Sequence, residues 1–203
     1  AETKRMPMLT ARPRTLDSLP AMPAFMEPPK EECSLQIGLA THKMLGLIDL
    51  ERIRAVAHNP KALYAVICRE AERLTESGVM TAQEAEYADR GMVARFLESD
   101  LGARMLRSPR VMREWPFNLH VTEPFDTIVQ GVIDLCFLED GQWVLVDFKT
   151  DRTSSARELW PRYCRQLEFY RMALQKATPF PVAVTALYAL RAGESFDGME
   201  QEK

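Results

Sequence analysis

Closely spaced cysteines, long apolar runs and an excess of basic charge are all missing from this chain of 203 residues. Its four cysteines, Cys33, Cys68, Cys136 and Cys164, are irregularly scattered, far from the spacing of about two to four residues that structural zinc sites favour. Neither a metal–thiolate cluster nor a disulfide framework is expected, only reduced thiols, some of them small core residues. No apolar run approaches the ~18–20 residues that span a bilayer, and no signal-peptide core is present, so the expectation is a cytoplasmic protein without membrane contact. A net charge of −3 argues against coating nucleic acid by bulk electrostatics, although local phosphate contacts remain open. No Gly-x-x-x-x-Gly-Lys-[Ser/Thr] run occurs, which excludes a P-loop of the chain's own.

What is present suits one ordinary domain with an appendage: 46% hydrophobic and 27% charged residues. Residues 1–30 hold six of the thirteen prolines and read as an extended arm or linker, with the domain proper over 31–203. A chain that begins this way reads as a piece of something longer. Helical periodicity follows. Ile37, Thr41, Leu45 and Ile48 share a face across Leu35 to Asp49. Asn59-Pro60 caps a second helix that carries Leu63, Val66, Ile67, Ala71 and Leu74 to a stop at Gly78. Thr81 and Glu84 form a capping box that opens one helix through Tyr87, Phe96 and Leu97. Three strands are expected next, Val111–Val121, Thr127–Leu138 and Trp143–Phe148, with Asp140-Gly141 turning the last pair. A helix over Pro161–Lys176 and a strand over Pro181–Leu190 complete a mixed α/β (α+β) order around a central sheet.

The chemistry concentrates in Gly131-Val132-Ile133-Asp134 and Val144-Leu145-Val146-Asp147-Phe148-Lys149. Asp134 is a lone acid inside an apolar strand, and Asp147 ends the next one. A buried carboxylate costs several kcal/mol unless a cation or donors compensate it, and two on paired strands invite a divalent cation. Asp147 and Lys149 are two apart and share a strand face. The acid suits a metal, while the lysine suits orienting or deprotonating a water and offsetting phosphate charge. Phe148 points into the core, with its carbonyl free to reach the same metal. Asp-x-Lys alone reads more readily as an edge ion pair, with Asp134 a turn or bulge residue; the acid buried in the preceding strand brings the two readings level. His42 stands mid-helix one turn after Gly38, either a surface residue or a nitrogen ligand. Gln166 and Tyr170 share a helix face, with Arg162, Arg165 and Arg171 nearby for phosphates.

Taken in order, Gly38-Leu39-Ala40-Thr41-His42, Glu114-Trp115-Pro116-Phe117, Gly131 to Asp134, Val146 to Asp151 and Gln166 to Tyr170 resemble the RecB/AddA branch of the PD-(D/E)XK nuclease superfamily. The likeness is nearest to the C-terminal nuclease domain of AddA-type helicase–nucleases, which process DNA ends for recombinational repair. It implies a restriction-endonuclease-like core, a mixed sheet in αβββαβ order with extra helices before it. It also implies Mg²⁺ or Mn²⁺ bound by His42, Asp134, Asp147 and the Phe148 carbonyl. Lys149 becomes the catalytic lysine beside Asp134 and Asp147, and Gln166 and Tyr170 support the site and contact DNA. Many superfamily members carry glutamate where Asp147 stands, although aspartate is common in this branch. Glu114 is left between supporting the site and capping its strand.

The expectation is therefore a divalent-metal-dependent DNA nuclease, an exonuclease module. Its helicase motor lies either in a partner subunit or in a missing N-terminal part. One rival on the same fold is a catalytically silent nucleic-acid clamp within a helicase complex, and a third reading is a metal hydrolase of some other substrate.

Overall fold

A computed structural model describes residues 30–122, 126–152 and 155–198. The proline-rich arm and its boundary with the domain lie outside these residues, apart from Lys30 at the start of the first helix. Six helices come first: α1 (Lys30–Leu47), α2 (Leu50–Arg54), α3 (Pro60–Glu76), α4 (Ala82–Tyr87), α5 (Arg90–Glu98) and α6 (Asp100–Arg107). The strands β1 (Val111–Val121), β2 (Thr127–Glu139) and β3 (Gln142–Lys149) follow, then α7 (Ala156–Ala177), β4 (Val182–Ala189) and β5 (Glu194–Asp197). The sheet order is β1-β2-β3-β4-β5, antiparallel except where β3 and β4 run parallel across the α7 crossover. This is the mixed α/β order that the sequence pattern gives, and it agrees with the restriction-endonuclease-like core that the resemblance implies. Among the described residues no helix is long and apolar enough to cross a membrane.

Two cores sandwich the sheet. Leu135, Phe137, Val144, Val146, Phe148 and Tyr188 face the six-helix layer, while Ile133, Trp143, Leu145 and Leu187 face α7. The alternation along β3 explains its sequence: both faces are covered, so Val144, Leu145 and Val146 are all apolar. The four cysteines are free, and only Cys136 is buried.

Three local expectations change. The helix opened by Thr81 does not run through to Leu97. Ala88 leaves helical geometry with ψ 116°, and Asp89 restarts the chain as the N-cap of α5, accepting from the Met92 N–H at 2.9 Å. The Asp89 N–H donates to Thr41 Oγ1 at 3.0 Å, so the break is fixed from α1, a contact that no local pattern announces. The last helix starts at Ala156 rather than Pro161; Ser155 caps it, and Pro161 lies inside. Finally, α2, α6 and β5 join the expected elements, each too brief to show periodicity in the sequence.

Arg113 ties the layers together. Helix α1 has no basic residue in its last turn, and Arg113 reaches from β1 to supply what is lacking. Its Nη1 donates to the carbonyls of Leu45 and Ile48 at 2.9 and 2.8 Å. Nearby, buried Glu70 accepts from the Asp49 N–H at 2.9 Å and from Arg73 and Arg52. The carboxylate fixes the junction of α1 and α2.

Candidate active site

The site lies where the sheet ladder parts. Strands β1 and β2 pair at Arg113↔Leu135 and at Trp115↔Ile133, but the intervening Glu114, opposite Asp134, has φ 49° and leaves the ladder. The bend reverses the facing of β1. Arg113 reaches the helical layer, whereas Trp115, Phe117 and Leu119 pack toward α7. Pairing of β2 with β3 stops at Leu135↔Val146, one step short of Asp134 and Asp147. Instead of a ladder bond, the Phe148 N–H donates to Asp134 Oδ2 at 2.8 Å. Three acids on neighbouring strands thus occupy one level of the sheet.

Each remaining group arrives from a different layer. His42 comes from α1; its Nδ1 lies 3.7 Å from Asp134 Oδ2, and its ring meets Phe148 edge-on with centroids 5.9 Å apart. Gly38, one turn earlier, sits against Thr150 so closely that a Cβ there would lie 2.5 Å from Thr150 Oγ1. The glycine thus admits the side chain of the residue that follows Lys149. Gly46, one turn beyond His42, abuts the Glu114 side chain in the same manner. Lys149 and Asp147 share a face as expected, with Nζ 2.7 Å from Asp147 Oδ2, and Phe148 turns into the helical core. From α7, Gln166 Oε1 accepts from Lys149 Nζ at 3.3 Å, while its Nε2 donates to the Tyr170 hydroxyl at 2.5 Å.

Burial and like charge shape the electrostatics. Asp147 is 1% exposed, and burial, reinforced by the neighbouring Asp134 charge, pushes its carboxyl up to about 6 despite Lys149. Burial and then Asp134 also raise Glu114, against a lowering contribution from His42. Burial pushes the Tyr170 phenol up to about 12, so it stays a neutral hydroxyl. The lysine forms an ion pair with Asp147, its Nζ 2.7 Å from the buried Oδ2, which has no further partner among the described residues. Among the described residues no three histidine, cysteine or acidic side chains stand converged as a finished cage; Lys149 and the Phe148 amide engage the two aspartates. The donor chemistry, an imidazole plus carboxylates one of which is almost fully buried, fits a hard divalent cation.

The structure brings together His42, Asp134, Asp147, Lys149, Gln166 and Tyr170, and adds Glu114, whose setting the sequence left open. Arg162 and Arg165 are exposed on α7. Arg171 does not join them; it lines a separate cavity with Trp160, Thr185 and Gly198. A groove of about 170 Å³ runs beside the site between Leu35, Leu39 and His42 of α1 and Lys149, Thr150 and Asp151.

An acid-lined gap at the end of a βββαβ sheet, with a lysine two residues beyond the second aspartate, defines a PD-(D/E)XK nuclease core. The chain belongs to the PD-(D/E)XK nuclease superfamily, whose family profile matches residues 14–201. It is similar to the larger chains named for an ATP-dependent helicase/nuclease in Heliobacterium modesticaldum (30% identity over 188 residues, 84% of this chain) and Lacticaseibacillus paracasei (35% over 189 residues, 86%). The helicase/nuclease chain of the same name from Clostridium acetobutylicum is 27% identical over 192 residues, 88% of this chain. The chain spans only 13–15% of the length of these relatives.

Proposed function

We propose that this chain is the nuclease module of an ATP-dependent helicase–nuclease and hydrolyses DNA phosphodiester bonds with a divalent cation. The observation that carries the reading is the convergence of His42, Asp134, the 1% exposed Asp147 and Lys149, with His42 Nδ1 3.7 Å from Asp134 Oδ2 and Lys149 Nζ 2.7 Å from Asp147 Oδ2. His42, Asp134, Asp147 and the Phe148 carbonyl would hold Mg²⁺ or Mn²⁺. When bound, the cation supplies Lewis acidity that makes water a stronger nucleophile and offsets charge on the phosphate.

The chain's own groups do the rest. Lys149 places a positive charge where a phosphate oxygen gains negative charge, and its ammonium orients the attacking water. Gln166 presents its carbonyl to Lys149 because its amide is committed to Tyr170. That order keeps the ammonium directed into the gap. Exposed Arg162 and Arg165 on α7 suit contacts with the DNA backbone. The names and lengths of the relatives support a motor elsewhere in a longer polypeptide or complex. On this reading the module stands at the C-terminal end and trims DNA ends exonucleolytically in recombinational repair.

Asp134→Ala or Lys149→Ala is expected to abolish Mg²⁺-dependent cleavage of linear DNA while circular dichroism shows an intact fold. Cleavage by either variant at the wild-type rate would overturn the assignment. Calorimetric titration with Mg²⁺ or Mn²⁺ separates the nuclease from a silent clamp, which has no need of the ion.

A further inference from the structure

Lys149 has a neighbour on α7 outside the Gln166–Tyr170 pair. Its Nζ lies 4.3 Å from the centroid of the Tyr163 ring, within cation–π range. The ring is itself fixed: the Tyr163 hydroxyl lies 3.2 Å from both carboxylate oxygens of Asp151, two residues beyond Lys149. Arg162 adds to the same arrangement, with Nη1 3.1 Å from Asp151 Oδ1 and its guanidinium 5.2 Å from the ring centroid. Tyr163, Gln166 and Tyr170 follow at i, i+3 and i+7, so one helix face carries all three.

On the nuclease reading above, Asp147 cannot serve a cation and Lys149 equally. Once the carboxylate is engaged, a four-carbon side chain loses its strongest partner at the moment its position matters. Among the described residues two contacts independent of Asp147 remain, the Gln166 carbonyl at 3.3 Å and the Tyr163 ring. We propose that Tyr163 is a positioning residue for Lys149: its ring, angled by Asp151, holds the ammonium in the gap when Asp147 is occupied. The ring face does the holding and the hydroxyl contact with Asp151 only refines its angle, so phenylalanine, still wedged on the same helix face, should keep most of the effect and an aliphatic residue should not.

The test uses the full chain with Tyr163→Leu and Tyr163→Phe. By NMR, the Lys149 ε-methylene protons, assigned by their loss in Lys149→Arg, should be shifted upfield by the ring. The shift should persist in Tyr163→Phe and vanish in Tyr163→Leu. In Mg²⁺-dependent cleavage of linear DNA, Tyr163→Leu should lower kcat about ten-fold with KM within two-fold, and Tyr163→Phe should stay within about three-fold of wild type. Thermal unfolding of each variant establishes that it is folded. Unshifted Lys149 protons in the wild type overturn the proposal, as does wild-type kcat in Tyr163→Leu, or a loss in Tyr163→Phe equal to that in Tyr163→Leu. A wild-type chain that binds no cation and cleaves no DNA sinks the nuclease reading instead, and the ring shift then still decides whether Tyr163 holds Lys149.

Discussion

Glu70 shows how much a single buried charge does away from the site. It is fully buried, and its carboxylate serves the Asp49 N–H, Arg73 and Arg52. Burial alone would raise its pKa, but the Arg73 and Asp49 hydrogen bonds and the two guanidinium charges outweigh that and hold it below 4.5. A lowered folded pKa means that the stabilisation is complete above the unfolded value and disappears as pH falls through the folded one. Glu70→Gln should therefore cost roughly 2 kcal/mol at pH 7, since hydrogen bonds to a charged group are lost. The gap to wild type should narrow below about pH 4.5, and thermal melts across that range check both. Nothing in the sequence marks Glu70, because its partners lie on α2, on its own helix and at a junction defined only by packing. Asp134, Asp147 and Lys149 are legible by contrast. Acids set among Val, Ile and Leu betray themselves, and strand parity pairs Asp147 with Lys149.

Among elements, the approach of α1 to the end of β3 decides where His42 stands. A Cβ on Gly38 would lie 2.5 Å from Thr150 Oγ1 and 3.5 Å from Thr150 Cβ. Gly38→Ala should thus destabilise by about 1–3 kcal/mol through overpacking. Thr150→Ala in the same chain removes the oxygen and leaves ordinary van der Waals contact. A double-mutant cycle read by denaturant unfolding should therefore recover most of that loss. Additive losses would mean that helix and strand do not meet there. The periodicity of α1 is readable in the sequence, but the α4–α5 break and the start of α7 are not. Thr41 reaches from another helix to the Asp89 amide, and Ser155 capping outweighs the start signal of Pro161.

At the scale of the whole molecule, the site is a gap in a sheet that both layers help to hold open. The Asp134 charge disfavours ionisation of both Glu114 and Asp147 there, so a divalent cation should bind the folded state far better than the unfolded chain. Mg²⁺ or Mn²⁺ at about 100 times its Kd should add roughly 2.7 kcal/mol and raise the Tm by several degrees in calorimetry. Asp134→Ala should lose that gain; an equal rise in the variant would place the ion elsewhere. The sequence by itself determined the longer elements, their order and the strand faces of Asp147, Phe148 and Lys149, because hydrophobic periodicity is local and encodes which side of an element is buried. Only the tertiary structure decided that Glu114 turns out of its ladder beside Asp134, that Arg113 holds α1 in place and that Tyr163 lies under Lys149. Those outcomes depend on register, backbone bend and close approach between residues far apart in the chain, which no local pattern carries.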